Sequence, residues 1–275
     1  MLLGFLTGGN IGDLKTTLKW AEENGFDSIS ITLPIGQKFL DLDDIVSHPG
    51  KYKDMISETK VVVSAIGFYG NPISLDENKR KQHIKHFEKV FDVAYALELP
   101  VVTGWVGKVE NGDIEDNVRE IKNVWPSLLR KAEDYNIKVA IENCPGNIMY
   151  RPDIWRRVFD ELGSEYLGLE FDPSHLICQF IDPSSALDEF GDRVYHVHAK
   201  DAEINWRIVS TYGITYKRWC PHRLPGYGDY DWFEFFTLLK KHGYDYAISI
   251  EHEDPYFKDF KEGVLTAKKF LRLFI

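Results

Sequence analysis

Residues Leu167–His175 read LGLEFDPSH, and their alternation decides the fold. With the two-residue period of a strand, Leu167, Leu169 and Phe171 fall on one face, and Gly168, Glu170 and Asp172 on the other. Apolar residues outward and small or acidic residues inward suit the wall of a barrel whose outer face is covered by helices. Asp172 closes the strand, and Pro173, lacking an N–H, stops it. His175 follows three residues after the acid, on the turn leaving the strand. A carboxylate and an imidazole at that point are the oxygen and nitrogen ligands a divalent cation accepts.

The same phase recurs on neighbouring segments. In Lys138–Asn143, Val139 and Ile141 point outward while Ala140 and Glu142 point inward. In Val194–Asp201, Tyr195, Val197 and Ala199 share the outer face, and His196, His198 and Lys200 the inner one. In Ala247–Glu253, Ile248 and Ile250 point outward; Ser249, Glu251 and Glu253 point inward. Each strand therefore ends with an inward ligand-type side chain: Glu142, Asp172, His198 and Glu251. Any one of them alone reads as a hydrogen-bonded core residue; the shared phase of all four argues for a site.

Earlier strands are expected at Leu2–Thr7, Asp27–Leu33, Lys60–Phe68 and Pro100–Val106. Helical patterns alternate with them: Asp13–Glu23, Leu75–Leu99, Asn117–Tyr135 with a kink or break at Pro126, Pro152–Leu162, Pro183–Phe190, Asp231–His242 and Phe257–Phe274. A helix before Lys60 is expected without clear bounds. Roughly eight strand–helix units make a parallel (β/α)8 barrel, one domain over residues 1–275. Ala202–Gly228 is a long irregular segment bearing Trp206, Tyr212, Tyr216 and Trp219. Segments of this length serve as lids or oligomer contacts, or merely lay their aromatics on the barrel. Here the segment is expected to cover the barrel mouth with His222 or Arg223 facing a substrate, and a homo-oligomer stays open.

Composition narrows the class. Apolar residues make up 44 % and aromatics 14 %, as in a globular protein. The net charge of −10 lacks the basic footprint that nucleic acid requires. The three cysteines, Cys144, Cys178 and Cys220, are odd in number and not in CxxC spacing. They read as thiols of a reducing compartment, with neither a disulfide framework nor a zinc ribbon. The start, MLLGFLTGGN, has no basic region and reads as a first strand rather than a signal peptide. No apolar run reaches about 18 residues, so no membrane partner is expected, and the location is cytoplasmic.

Barrel active sites lie at the C-terminal ends of the strands, where these four side chains are expected to meet. Three carboxylates and one imidazole favour Mn²⁺ above all, with Mg²⁺, Co²⁺ or Zn²⁺ also accommodated. At these residues the chain resembles the sugar phosphate isomerase/epimerase family, the xylose isomerase-like TIM barrels. The blocks AIENCPG, EFDPSHL, HVHAKD, LPGYGDYDW and SIEHEDP carry the resemblance, which is sharpest from Val139 to Pro255. Similarity to its ketose 3-epimerases implies a sugar or keto-sugar substrate and one divalent metal ion held by Glu142, Asp172, His198 and Glu251. Glu142 and Glu251 would also move the proton, and His175 would contact the substrate. Those epimerases carry an arginine three residues before the Pro-Gly of the last long loop; here His222 stands there, with Arg223 next to it. The DNA-repair branch of the superfamily needs histidines on strands two and three, and the strands ending in Leu33 and Phe68 offer none.

Other inward or mouth residues carry two readings each. Trp105 stacks on a sugar face or caps the core. Lys200 and Asp201 pair with substrate or fix the loop. His196 reads as a hydrogen-bonded core residue, and Glu253 as a neighbour of the metal ligands or a solvated acid. No GxGxxG or P-loop spacing supports a nucleotide cofactor. The chemistry implied is epimerisation or isomerisation through an enediolate, with one glutamate removing a proton and the other returning one. An inosose- or dehydroshikimate-type dehydratase would use the same enediolate and expel water. A sugar-binding barrel without turnover would not need both glutamates.

Overall fold

The computed structural model describes all residues, Met1–Ile275. Ten strands occur: β1 (Leu2–Thr7), β2 (Ser28–Thr32), β3 (Val62–Phe68), β4 (Val101–Gly104), β5 (Lys138–Glu142), β6 (Leu167–Phe171), β7 (Val194–Ala199), β8 (Asp201–Ala202), β9 (His222–Arg223) and β10 (Ala247–Ile250). All but β8 and β9 close into a parallel barrel in chain order, β10 pairing with both β7 and β1. The helices are α1 (Leu14–Glu23), α2 (Leu42–Ser47), α3 (Pro49–Ser57), α4 (Glu77–Ala96), α5 (Ile114–Asp134), α6 (Pro152–Leu162), α7 (Pro173–Ile177), α8 (Pro183–Phe190), α9 (Trp206–Tyr212), α10 (Trp232–Lys241) and α11 (Phe260–Leu271). The result is a single-domain (β/α)8 barrel, as the alternation predicts.

Aspartates start most of the helices. Asp13, Asp76, Asp113, Asp182, Asp231 and Asp259 each accept from a backbone N–H of the first turn, which satisfies donors the helix itself leaves orphaned. Between barrel and helices lies one apolar cluster of 63 buried residues, with Trp125, Trp155 and Phe235 among its largest. This layer overrides local preference at Pro126. The α5 helix runs through that proline without a break, because Ile121, Val124, Trp125, Leu128 and Leu129 bury one continuous face on either side of it. The weakly patterned stretch before Lys60 holds two short helices, α2 and α3.

Three expectations change. Tyr195 does not point outward. The register between β6 and β7 slips between Leu169 and Glu170, leaving Tyr195 as an extra residue between Val194 and His196. Such a bulge breaks strict alternation. The Tyr195 ring turns inward and joins Tyr246 against Ala65, Val101 and Ala140. Second, Pro173 does not open a plain turn: it is the first residue of α7, with Asp172 as its cap, so His175 is helical. Third, Cys178 and Cys220 are disulfide-bonded, with Cα atoms 5.7 Å apart, and only Cys144 is free. They lie 42 residues apart, a spacing that says nothing about proximity, and the end of α7 meets the returning loop only in the folded chain. The cysteine content therefore no longer argues for a reducing compartment. No helix is long and apolar enough to cross a membrane.

Gly168 makes the inward turn of Tyr195 possible. A Cβ there would lie 2.3 Å from the Arg193 carbonyl oxygen and 2.5 Å from the Tyr195 ring. Gly168→Ala is thus expected to cost about 1–3 kcal/mol of stability, the usual range for overpacking, read as a lower urea midpoint at unchanged slope.

Candidate active site

The C-terminal ends of β5, β6, β7 and β10 bring four side chains to one point. Glu142 is the last residue of β5, Asp172 follows β6, His198 lies in β7 and Glu251 follows β10. One ligand atom from each falls within 4.8 Å of the others. Asp172 is held by its role as helix cap: Oδ1 accepts from Ser174 N at 2.8 Å and from Ser174 Oγ at 2.6 Å. Its Oδ2 is buried without a hydrogen-bond partner, although Lys200 Nζ lies 3.1 Å away. Glu142 is steered by Trp105, whose Nε1 donates to Oε2 at 2.7 Å.

His198 sits between carboxylates on both sides. Its Nδ1 is 3.2 Å from Glu142 Oε1 and 3.1 Å from Glu251 Oε2. Its Nε2 is 2.9 Å from Glu170 Oε1, off the line of a good hydrogen bond. Glu170 is fully buried; Oε1 also lies 2.9 Å from His196 Nδ1, and Oε2 accepts from the Tyr69 hydroxyl at 2.9 Å. A carboxylate behind a histidine fixes which ring nitrogen faces forward, here Nδ1 toward Glu142 and Glu251. Glu170 was legible as inward in LGLEFDPSH, but its service to His198 was not. Tyr69, just past β3, carried no signal at all. His196 is the hydrogen-bonded core residue expected, with Ser64 Oγ 3.4 Å from Nε2.

The remaining site candidates divide. His175 Nε2 lies 3.5 Å from both Glu142 Oε1 and Asp172 Oδ2. Lys200 is buried, its Nζ 2.7 Å from Glu251 Oε2, 2.9 Å from Glu253 Oε2 and 3.3 Å from His175 Nε2. His222 reaches the same rim: Nδ1 is 2.8 Å from Glu253 Oε2, and its ring is 5.2 Å from that of His175. Arg223 does not join them. It is paired with Asp254 at 3.0 Å and with Glu203, and its guanidinium covers the Tyr256 ring. The two residues are neighbours on β9, where successive side chains point to opposite faces. Asp201 fixes the loop, accepting from Ala202 N, Gly226 N, Tyr230 N and Trp232 Nε1. Cys144 stands beside Glu142 and His175, a neighbour the strand pattern did not suggest. Trp105 and Tyr69 also wall a cavity of about 530 Å³ at the mouth. A second cavity of about 590 Å³, between Pro34 and Lys89, shares no residue with the acid–histidine cluster.

Electrostatics favour a cation. Burial would raise the Glu142 carboxyl, but hydrogen bonds and charge from His175 and His198 hold it well below the ordinary range. Burial likewise works against ionised Glu251, and Lys200 and His198 more than offset it. Burial opposes the charged form of His175, yet the Asp172 charge helps carry it up to about 10. Desolvation pushes His198 down, while Glu170 and Glu251 drive it well above the usual imidazole value. Glu142, Glu170, Asp172, Glu251 and Glu253 gather around Lys200 and the imidazoles of His175, His196, His198 and His222, so five mostly buried carboxylates share one permanent cation. Buried charge of one sign is expensive unless compensated. The orphaned Asp172 Oδ2 and the oxygen-rich donor set fit a divalent cation at Glu142, Asp172, His198 and Glu251.

Comparison with known proteins agrees in architecture. The family profile described as xylose isomerase-like TIM barrel matches residues 18–273. An uncharacterized protein of Bacillus subtilis strain 168, YfiH, is 26 % identical over 92 % of this chain and 93 % of its own length. The inosose isomerase of Halalkalibacterium halodurans is 24 % identical, covering 93 % of this chain and 89 % of that protein. An inosose dehydratase of Clostridium tetani is 23 % identical over 71 % of this chain and 70 % of its own. Among solved structures, a D-tagatose 3-epimerase-like protein superposes with a TM-score of 0.77 at 22 % identity, covering 100 % of this chain and 97 % of the other. The IolI protein with a bound zinc atom gives 0.77 at 21 % identity, over 99 % and 98 % of the two chains.

Proposed function

The chain belongs to the xylose isomerase-like TIM-barrel family, and from that premise we propose that it is a divalent-metal-dependent epimerase or isomerase acting on a sugar or sugar derivative. The observation that carries the proposal is the convergence of Glu142, Asp172, His198 and Glu251 within 4.8 Å at the barrel mouth. A divalent cation held there would draw electron density from the carbonyl and hydroxyl oxygens of a keto-sugar and ease loss of the neighbouring proton. Glu142 and Glu251, both ionised, are the bases. Trp105 orients the first, and Lys200 holds the second. One removes the proton and the other returns one, inverting a stereocentre or shifting the carbonyl. His175, Lys200 and His222 line the rim where substrate hydroxyls would sit. Trp105 offers a ring to a sugar face.

Cyclic keto-polyols head the substrate panel, since a relative named inosose isomerase matches nearly end to end. The dehydratase reading is kept because several relatives, that of Clostridium tetani among them, are named inosose dehydratase. Metal analysis of the purified protein, followed by product identification with inosose and linear ketoses, decides between them. An isomer or epimer formed only with metal supports the proposal. Loss of water from the substrate moves the protein to the dehydratases, and turnover without metal sinks both.

A further inference from the structure

We propose that the outer limb of the long loop, residues 203–221, is an arm through which two copies of this chain associate. Helix α9 carries Trp206, Ile208, Val209 and Tyr212 yet buries none of its side chains. Trp206 is 62 % exposed, Tyr212 61 %, Ile214 53 % and Tyr216 51 %. A helix this short gains little from its own hydrogen bonds in water. Its position is nevertheless defined. Asn205 caps it, and the limb is pinned back on itself by Glu203 N to Pro221 O at 3.1 Å and Asn205 N to Trp219 O at 2.8 Å.

The base of the arm is braced as well. The Cys178–Cys220 disulfide ties it to the end of α7. Phe180, two residues beyond, stacks on Trp219 at 5.5 Å and meets Trp206 at 5.8 Å, while its own side chain is half exposed. Phe180 has a φ of 56°, a region bulky residues avoid, and backbone held there gathers at functional positions. At ~200 Å² per large side chain, Phe180, Trp206, Tyr212, Ile214 and Tyr216 leave on the order of 600 Å² of apolar surface uncovered. That is as much as a lone monomer commonly presents, and close to the ~800 Å² each partner gives to a standard interface.

Charge selects the occupant. From Ile204 to Pro221 the arm has Arg207, Lys217 and Arg218 and no acid, on a chain of net charge −10. None of the three enters an ion pair, whereas Arg223 at the base has two. The acidic body of a second copy complements such an arm, and arms exchanged about a twofold axis avoid setting like charges against each other. Rigid Trp and Tyr side chains beside Arg have the composition of interface hot spots.

Sedimentation velocity on the full chain, from about 1 to 100 µM, tests this, with a dimer expected within that range. Raising the salt from about 0.05 to 0.5 M should weaken it, as for any contact with an electrostatic part. The pair Trp206→Ser and Tyr212→Ser should weaken association about 100-fold, the loss of two hot-spot residues. The triple variant Arg207→Glu, Lys217→Glu, Arg218→Glu touches no packed residue and should do the same with an unchanged far-UV spectrum. A wild-type chain that stays monomeric throughout overturns the proposal. So does a dimer that both variants leave intact.

Discussion

Glutamine at position 142 or 251 is expected to lower turnover by about 10²–10⁴, the usual worth of a general acid or base. The amide keeps an oxygen donor where the carboxylate had one, so metal affinity should fall only modestly. Asp172→Asn should behave differently. That residue caps α7 through Oδ1 and offers Oδ2 to the cluster, so its loss acts mainly through metal occupancy, and excess metal should partly rescue it. Steady-state rates alongside metal analysis of each variant separate the cases. Metal-loaded Glu142→Gln and Glu251→Gln proteins that turn over at the wild-type rate would remove both residues from the chemistry.

The second large effect is expected at Glu170, which touches no substrate. It stands behind His198 and His196 and accepts from Tyr69, all in the barrel interior. Burial would raise its carboxyl, and the His198 charge together with the hydrogen bond from His196 holds it below the ordinary range. Glu170→Ala leaves the two rings and a hydroxyl without this partner. Metal affinity should fall about 10- to 100-fold, as when the carboxylate behind a ligating histidine is removed. Stability should fall by about 3–5 kcal/mol, the cost of breaking a buried charge pair from one side. Glu170→Gln keeps an acceptor and should recover part of both. Calorimetric metal titration and urea unfolding read the two effects independently of turnover. Unchanged metal affinity in the alanine variant would make Glu170 a packing residue only.

Much of the site was legible because strand periodicity and barrel geometry are rigid constraints. Once Leu167, Leu169 and Phe171 are placed outward, Glu170 and Asp172 must point in, and the same phase carries Glu142, His198 and Glu251 to one end. What escaped depends on departures from that regularity or on contacts distant in sequence. The bulge at Tyr195 adds a residue and turns an outward ring inward, which alternation cannot show. His222 and Arg223 are neighbours with the same apparent claim on substrate, and only the ladder with β8 reveals that they face opposite ways. The disulfide and the Tyr69–Glu170 bond join residues 42 and 101 positions apart, brought together by tertiary packing alone. The α9 helix eluded the pattern because a helix that buries nothing leaves no amphipathic stripe to read.

The most direct test of the central claim is solvent deuterium incorporation at the carbon beside the carbonyl of a keto-sugar such as inosose, followed by NMR. Metal-loaded wild-type protein should exchange that proton, chelation should stop the exchange, and restoring the metal should restart it. The variant carrying both Glu142→Gln and Glu251→Gln should stay silent with metal bound. Exchange that continues after chelation, or that survives in the metal-loaded double variant, would contradict a metal-assisted proton transfer by these two glutamates.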